Sequence, residues 1–164
     1  MKWKKIFFIT TTLFIICLLA SGFQQKDSEK NSFITAEDTQ KQPMTAVKIE
    51  IGEKTFQAKF YENETTKELL KQLPIEMEMQ ELNGNEKYYY LNQNLPTNAS
   101  KVHTIKEGDI MLYGKNCLVF FYENFDTNYQ YTPIGYVEEV SGFSQALGKG
   151  TVKVVLKIAE DSAS

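Results

Sequence analysis

Apolar and polar residues alternate with a period of two along much of the chain after residue 44. Val47, Ile49 and Ile51 alternate with Lys48 and Glu50, and Phe56, Ala58 and Phe60 alternate with Gln57 and Lys59. Gly52-Glu53-Lys54 separates the two runs. A strand turns successive side chains to opposite faces, so two such runs around a short Gly-containing loop predict a β-hairpin. Thr65 and Glu68 then have capping-box spacing ahead of Leu69, Leu70 and Leu73, and Pro74 ends the apolar face. This predicts a helix of about two turns. Ile75, Met77 and Met79 alternate with Glu76 and Glu78, which predicts a third strand with its methionines in a core and its glutamates in water.

The second half continues in short segments. Asn83-Gly84-Asn85 is a turn signal, and Tyr88 to Leu91 reads as a short strand. Leu95-Pro96-Thr97-Asn98 is loop. A strand follows at Ile110 to Tyr113, then the turn Gly114-Lys115-Asn116. Cys117 to Tyr122 is apolar on both faces and therefore reads as a central strand. Tyr131 to Glu139 is a further strand. Ser141 to Leu147 forms one or two helical turns closed by Gly148, and Thr151 to Ile158 is the last strand, with Val152, Val154, Leu156 and Ile158 on one face. Many short strands punctuated by turns predict a mainly β domain, either barrel or sandwich.

The N-terminus follows a different pattern. Lys2, Lys4 and Lys5 precede the largely apolar stretch Ile6 to Leu19, and Ala20-Ser21-Gly22 supplies small residues where a signal peptidase reads. Residues 1–22 therefore read as a signal peptide or, uncleaved, as an N-terminal anchor, and the chain as exported. Gly22 stands where a lipoprotein would need Cys. Residues 23–44 are polar and without period, and read as a flexible linker. A similar tail occupies residues 160–164.

Composition narrows the function. All 18 basic residues are Lys and none is Arg. Loss of the three leader lysines would take the net charge from −3 to −6. Such a chain lacks the cations that phosphate neutralisation requires, so nucleic acid is not an expected partner. Contact with a membrane is expected only through an uncleaved leader. Cys117 alone lies outside the leader, and its apolar neighbours mark it as a small buried hydrophobe rather than a reactive thiol. The single His103 has no second His or paired Cys beside it, so no metal site is expected. Gly148-Lys149-Gly150 is a turn rather than a phosphate loop, and no cofactor is expected.

Several segments in order carry a resemblance. They are Glu81-Leu82-Asn83-Gly84-Asn85-Glu86-Lys87-Tyr88, Leu95-Pro96-Thr97-Asn98, Ile105 to Ile110 with Gly108-Asp109, Met111-Leu112-Tyr113-Gly114, Asn116 to Tyr122, and Tyr131-Thr132 with Ile134-Gly135. Together the sequence from about Val47 to Leu156 resembles the bacterial cyclophilin-like domain family, small β-barrels related in fold to cyclophilins. The resemblance implies a closed barrel of about eight strands with one or two short helices at its ends, placed at residues 45–159. It also implies a bacterial source, so the export read from residues 1–22 corresponds to a secreted or cell-envelope location. Some relatives lie fused or adjacent to flavodoxin-like domains, which implies, as an alternative, an accessory domain of a flavodoxin-like redox partner.

Isomerase activity does not follow from the resemblance. Cyclophilins twist the prolyl amide beside an Arg that donates to it, and the donor must bind more strongly as conjugation is lost. This chain has no Arg, and Lys lacks the planar fork. A weak isomerase would need another donor, such as Lys87, Asn116 or Gln130. The expected function is instead a non-catalytic binding module for a peptide or small ligand. Tyr122 to Tyr136 interleaves aromatic rings with amides and a Pro, a mixture suited to lining a groove. The candidate ligand-binding residues are Asn83, Glu86, Tyr88, Tyr113, Asn116, Phe125, Tyr129 and Tyr131, with Asn85 beside them.

Overall fold

The computed structural model describes residues 44–159. The segments expected as leader, linker and tail fall on residues 1–43 and 160–164, which lie outside the described residues. Strands β1 (Met44–Ile51) and β2 (Lys54–Tyr61) form the expected hairpin, with Ile51 opposite Lys54. The loop is thus Gly52-Glu53 alone, and Gly52 has φ +58, a left-handed conformation that glycine adopts without a Cβ penalty. Val47, Ile49 and Ile51 are buried on one face, as the alternation requires.

Helix α1 (Glu64–Leu70) starts two residues earlier than its capping-box reading at Thr65 and Glu68 predicts. Asn63 is the N-cap: its Oδ1 accepts from the Thr66 N–H at 2.9 Å, and Thr66 Oγ1 accepts from the Asn63 N–H at 3.1 Å. Asn63 also donates to the Pro133 carbonyl at 3.0 Å, and Thr65 donates to the Pro96 carbonyl at 2.7 Å. The tertiary bonds place the cap at Asn63, because Thr65 is needed to hold the loop beyond the helix. A side-chain cap of this kind contributes about 0.5–2 kcal/mol.

Strand β3 (Ile75–Leu82) buries Met77 and Met79 and exposes Glu76 and Glu78. It turns at Asn83-Gly84-Asn85 into β4 (Glu86–Tyr90). Two short strands follow, β5 (Ser100–Lys101) and β6 (Thr104–Ile105), then β7 (Asp109–Tyr113) and β8 (Cys117–Phe121). After β9 (Phe125–Asp126) and β10 (Gln130–Val137) come helix α2 (Phe143–Leu147) and β11 (Val152–Ile158). The paired order is β2-β1-β11-β3-β4-β8-β7-β10, and β10 returns to pair with β2. Every pairing among the described residues is antiparallel. The result is a closed eight-stranded barrel with two helices, mainly β as expected.

One apolar cluster fills the interior, from Val47 and Phe60 across to Leu118, Phe120 and Leu156. Phe143 of α2 belongs to it, with its ring edge-on to Phe56 at 5.2 Å. Full burial of one such ring stabilises by about 1.5–3 kcal/mol. Ile158, expected on the same face as Leu156, is half exposed because it ends β11 beyond the packed region. Every residue of β8 is buried, as its two-sided apolarity requires. Leu118 and Phe120 face the interior. Cys117, Val119 and Phe121 belong to a second cluster with Ile105, Met111 and Tyr131. That cluster lies on the outer face of the barrel, where β6 and β9 cover it.

Candidate functional site

Strand alternation builds one wall of a cavity on this outer face. The register sets Glu86 opposite Phe121, Tyr88 opposite Val119 and Tyr90 opposite Cys117, with Tyr113 of β7 opposite Cys117 from the other side. These residues share a face, and Lys87 and Tyr89 point the other way. The turn Asn83-Gly84-Asn85 forms one rim. Asn83 has φ +57, a left-handed conformation that Asn tolerates better than most residues. Phe125 and Tyr129 rise from the segment between β8 and β10, and Tyr131 opens β10.

The cavity has a volume of about 300 Å³ and is lined by Leu82, Asn83, Asn85, Glu86, Tyr88, Tyr90, Tyr113, Cys117, Val119, Phe125, Tyr129 and Tyr131. The structure therefore brings together Asn83, Glu86, Tyr88, Tyr113, Phe125, Tyr129 and Tyr131 among the candidate residues, and Asn85 with them. Asn116 is not among them. It sits in the β7–β8 turn, where its Nδ2 donates to the Leu91 carbonyl at 3.1 Å and ties down the chain after β4. Lys87, considered as a donor, is wholly buried on the opposite face of β4. Gln130 is exposed at the β5 pairing. Tyr122 and Tyr136 also lie elsewhere: Tyr122 bonds to Glu81, and Tyr136 packs on Tyr61 at 6.0 Å.

Leu82, Tyr90, Cys117 and Val119 line the cavity although sequence reasoning did not select them. Tyr90 was accessible to it, since period two carries the face of Glu86 and Tyr88 on to residue 90. Cys117 and Val119 read as core, and they are buried. They are core and cavity floor at once.

The aromatic rings stand at steep angles. Tyr88 meets Tyr90 at 5.7 Å and 74°, and Tyr113 meets Tyr129 at 6.0 Å and 82° and Tyr131 at 5.7 Å. Glu86 is the only charged residue in the lining. Burial pushes its carboxyl above the ordinary range, and the negative charge of Glu81 adds to that. Burial, then the charge of Glu86, pushes the Cys117 thiol up to about 11. The same two causes, in the same order, raise the Tyr131 phenol to about 12. Cys117 is thus a neutral thiol at pH 7, poorly suited to nucleophilic chemistry. Among the described residues no group of three or more His, Cys, Asp or Glu side chains is placed to hold a metal ion.

A family model described as the cyclophilin-like family matches residues 49–158. Two solved structures share the fold at 16% identity. One is McbB in complex with tryptophan, with a TM-score of 0.57 over 72% of this chain and 46% of that one. This chain thus spans less than half of McbB. The other is the solution structure of the hypothetical protein AF2241 from Archaeoglobus fulgidus, with a TM-score of 0.50 over 74% of this chain and 99% of that one. No curated protein matches the chain.

Proposed function

The chain belongs to the cyclophilin-like family, and we propose that its barrel is a non-catalytic binding module that takes a peptide segment or small ligand in the outer-face cavity. One observation carries the reading. Among the described residues the exposed large apolar side chains are Leu82, Tyr90, Tyr113, Tyr129 and Ile158, and the first four all line this cavity. Scattered exposed apolar residues need no explanation, but a cluster around a concavity does. Rings offer large contact area at small entropic cost, and their hydroxyls orient what they hold. The sequence has no Arg, and the lining contains no cationic side chain, which supports holding over prolyl isomerisation.

The test is a ¹H–¹⁵N titration of the chain with a panel of short peptides and free tryptophan. Tryptophan is included because McbB, which shares the fold, was solved with it. Shifts are expected at residues 83–90, Tyr113 and residues 125–131. Tyr129→Ala should weaken the bound ligand by about 1–2 kcal/mol, the range of a strong aromatic contact. A panel that leaves those amides unmoved sinks the proposal. So does acceleration of a proline-containing peptide's isomerisation, which would make the module an enzyme.

Export is proposed with it, supported by the charged, apolar and small-residue order of residues 1–22. N-terminal sequencing of the chain from medium or envelope should find it starting after Gly22. Chain confined to the cytosol with Met1 intact would contradict export.

A further inference from the structure

Glu86 stands out among the buried acidic groups. Its residue exposure is 9%, yet among the described residues no hydrogen bond or ion pair reaches its side chain. Its neighbours in kind are all partnered. Glu81 accepts from Lys87, Tyr122 and the Gly84 N–H, and Asp109 accepts from the Lys106 N–H at 2.8 Å. The Glu86 carboxylate opens onto the cavity rather than being sealed in the protein, and Asn85 Oδ1 in the same lining is buried and, among the described residues, without a partner. A partly desolvated carboxylate beside an unsatisfied acceptor is stabilised by a cationic donor set against them. The nearest lysine in sequence, Lys87, is spent on the other side of the strand. The surroundings of Glu86 are rings: Tyr88, Tyr90, Tyr113, Tyr129 and Tyr131 line the same space. Aromatic faces carry negative potential and attract cations, most strongly where water is excluded.

We propose that the cavity binds an alkylammonium group, set against the Glu86 carboxylate and enclosed by the tyrosine rings. The inference rests on the binding-module reading and names its ligand chemistry. An anion would find amide and hydroxyl donors but no cationic side chain, and would face the Glu86 carboxylate. A neutral guest without a donor would leave Glu86 unpartnered, and one with a donor would leave its charge unmatched. A divalent metal needs several oxygen ligands, and the lining offers a single carboxylate. A volume of about 300 Å³ lies at the small end of ligand sites, so it suits a side chain or small amine. Burial, and then Glu81, holds the Glu86 carboxyl above its ordinary range, as expected of an acid that lacks its cation.

Calorimetric titration of the whole chain with three probes tests this. They are n-butylammonium chloride, Nα-acetyl-lysine N-methylamide and its neutral counterpart Nα-acetyl-norleucine N-methylamide. At least one ammonium probe should bind, and the norleucine probe should bind roughly tenfold more weakly or not at all. Binding of the blocked lysine identifies the source as a peptide side chain. Binding of n-butylammonium alone identifies a free amine. Glu86→Gln should weaken the ammonium probe roughly tenfold and leave the norleucine probe unchanged. Tyr129→Leu, at a ring that is 63% exposed, removes one aromatic face without touching the core and should weaken the ammonium probe severalfold. Equal binding of the lysine and norleucine probes would overturn the ammonium assignment while leaving the binding module standing. Failure of all three probes together with a silent peptide panel would remove both.

Discussion

Replacing Gly135 with alanine is expected to destabilise the barrel by about 3 kcal/mol or more, the upper end for forced overpacking. Gly135 lies on β10 opposite Phe60 of β2, in the pairing that closes the barrel. A Cβ built there would stand 2.1 Å from the Lys59 carbonyl oxygen, 2.8 Å from Phe60 Cδ1 and 2.9 Å from the Lys59 carbonyl carbon. Two of those atoms are backbone, and they belong to a strand paired on both sides, so they cannot yield as a flexible side chain would. The seam itself is short: Gly135 with Phe60, Tyr136 with Lys59 and Val137 with Ala58. Pushing its first pair apart removes a large share of what joins the first strands to the last. Gly114→Ala is the control, since nothing lies within 4 Å of its Cβ position. Only its φ of +60 opposes the change, at a cost of about 1 kcal/mol. Urea unfolding of the two variants beside the parent reads the difference. A Gly135→Ala midpoint equal to that of Gly114→Ala would show that the seam is not tight.

That seam was invisible in the sequence, and the reason is physical. Periodicity reports which face a residue takes, and it says nothing of which distant strand covers that face. The β1–β2 hairpin, β3 and β11 were legible because each carries three or more alternating apolar residues. Strands β5, β6 and β9 have two residues each and cannot express a period. Closure came from the resemblance rather than from the pattern. The cavity was more legible than its purpose. Glu86 and Tyr88 are two apart on a strand, and Asn83 and Asn85 sit in the turn that feeds it, so they had to be neighbours. Asn116 misled because a turn asparagine looks free in sequence, whereas its amide already bonds the Leu91 carbonyl. Lys87 misled for a different reason. Just outside the strand expected at Tyr88 to Leu91, it reads as a possible donor to a ligand, whereas β4 begins at Glu86 and turns Lys87 inward to Glu81.

That buried lysine gives the second large effect. Lys87 is wholly buried in the interior, with its Nζ 2.5 Å from Glu81 Oε2 and 2.6 Å from the Gly150 carbonyl oxygen. Its ammonium lies 5.8 Å from the centre of the Tyr122 ring. Glu81 also accepts from the Tyr122 hydroxyl at 2.5 Å and the Gly84 N–H at 3.0 Å. Glu81→Ala should cost about 3–5 kcal/mol, because it strands a charge in an apolar interior. Lys87→Met should cost less, about 1.5–3 kcal/mol for lost bonds to a charged group, since Glu81 keeps Tyr122 and Gly84 and is 26% exposed. Combining Glu81→Leu with Lys87→Met should recover most of the loss, because neither change then leaves an unpaired charge. Equal costs for the two single variants would refute this account.

The pair also predicts a pH dependence. Burial pushes the Glu81 carboxyl up, but hydrogen bonds from Lys87 and Tyr122, the Lys87 charge and the Gly84 N–H outweigh it and hold it below its ordinary 4.5. A lowered carboxyl pKa stabilises the fold above the ordinary value, and that stability is lost as pH falls through the lowered one. The gap between parent and Glu81→Ala in urea should therefore be widest near neutrality and shrink in acid. Glu86 has the opposite sign: its raised carboxyl costs the fold stability as pH climbs above 4.5. Two consecutive residues of β4 thus face opposite sides of the sheet with opposite electrostatic fates. Lys87 faces inward and is fully paired, while Glu86 faces the cavity and is not. Through Gly84, the inner pair also holds the turn that carries Asn83 and Asn85 to the cavity rim. Glu81→Ala should for that reason broaden the amide resonances of residues 83–85 before the rest of the barrel responds.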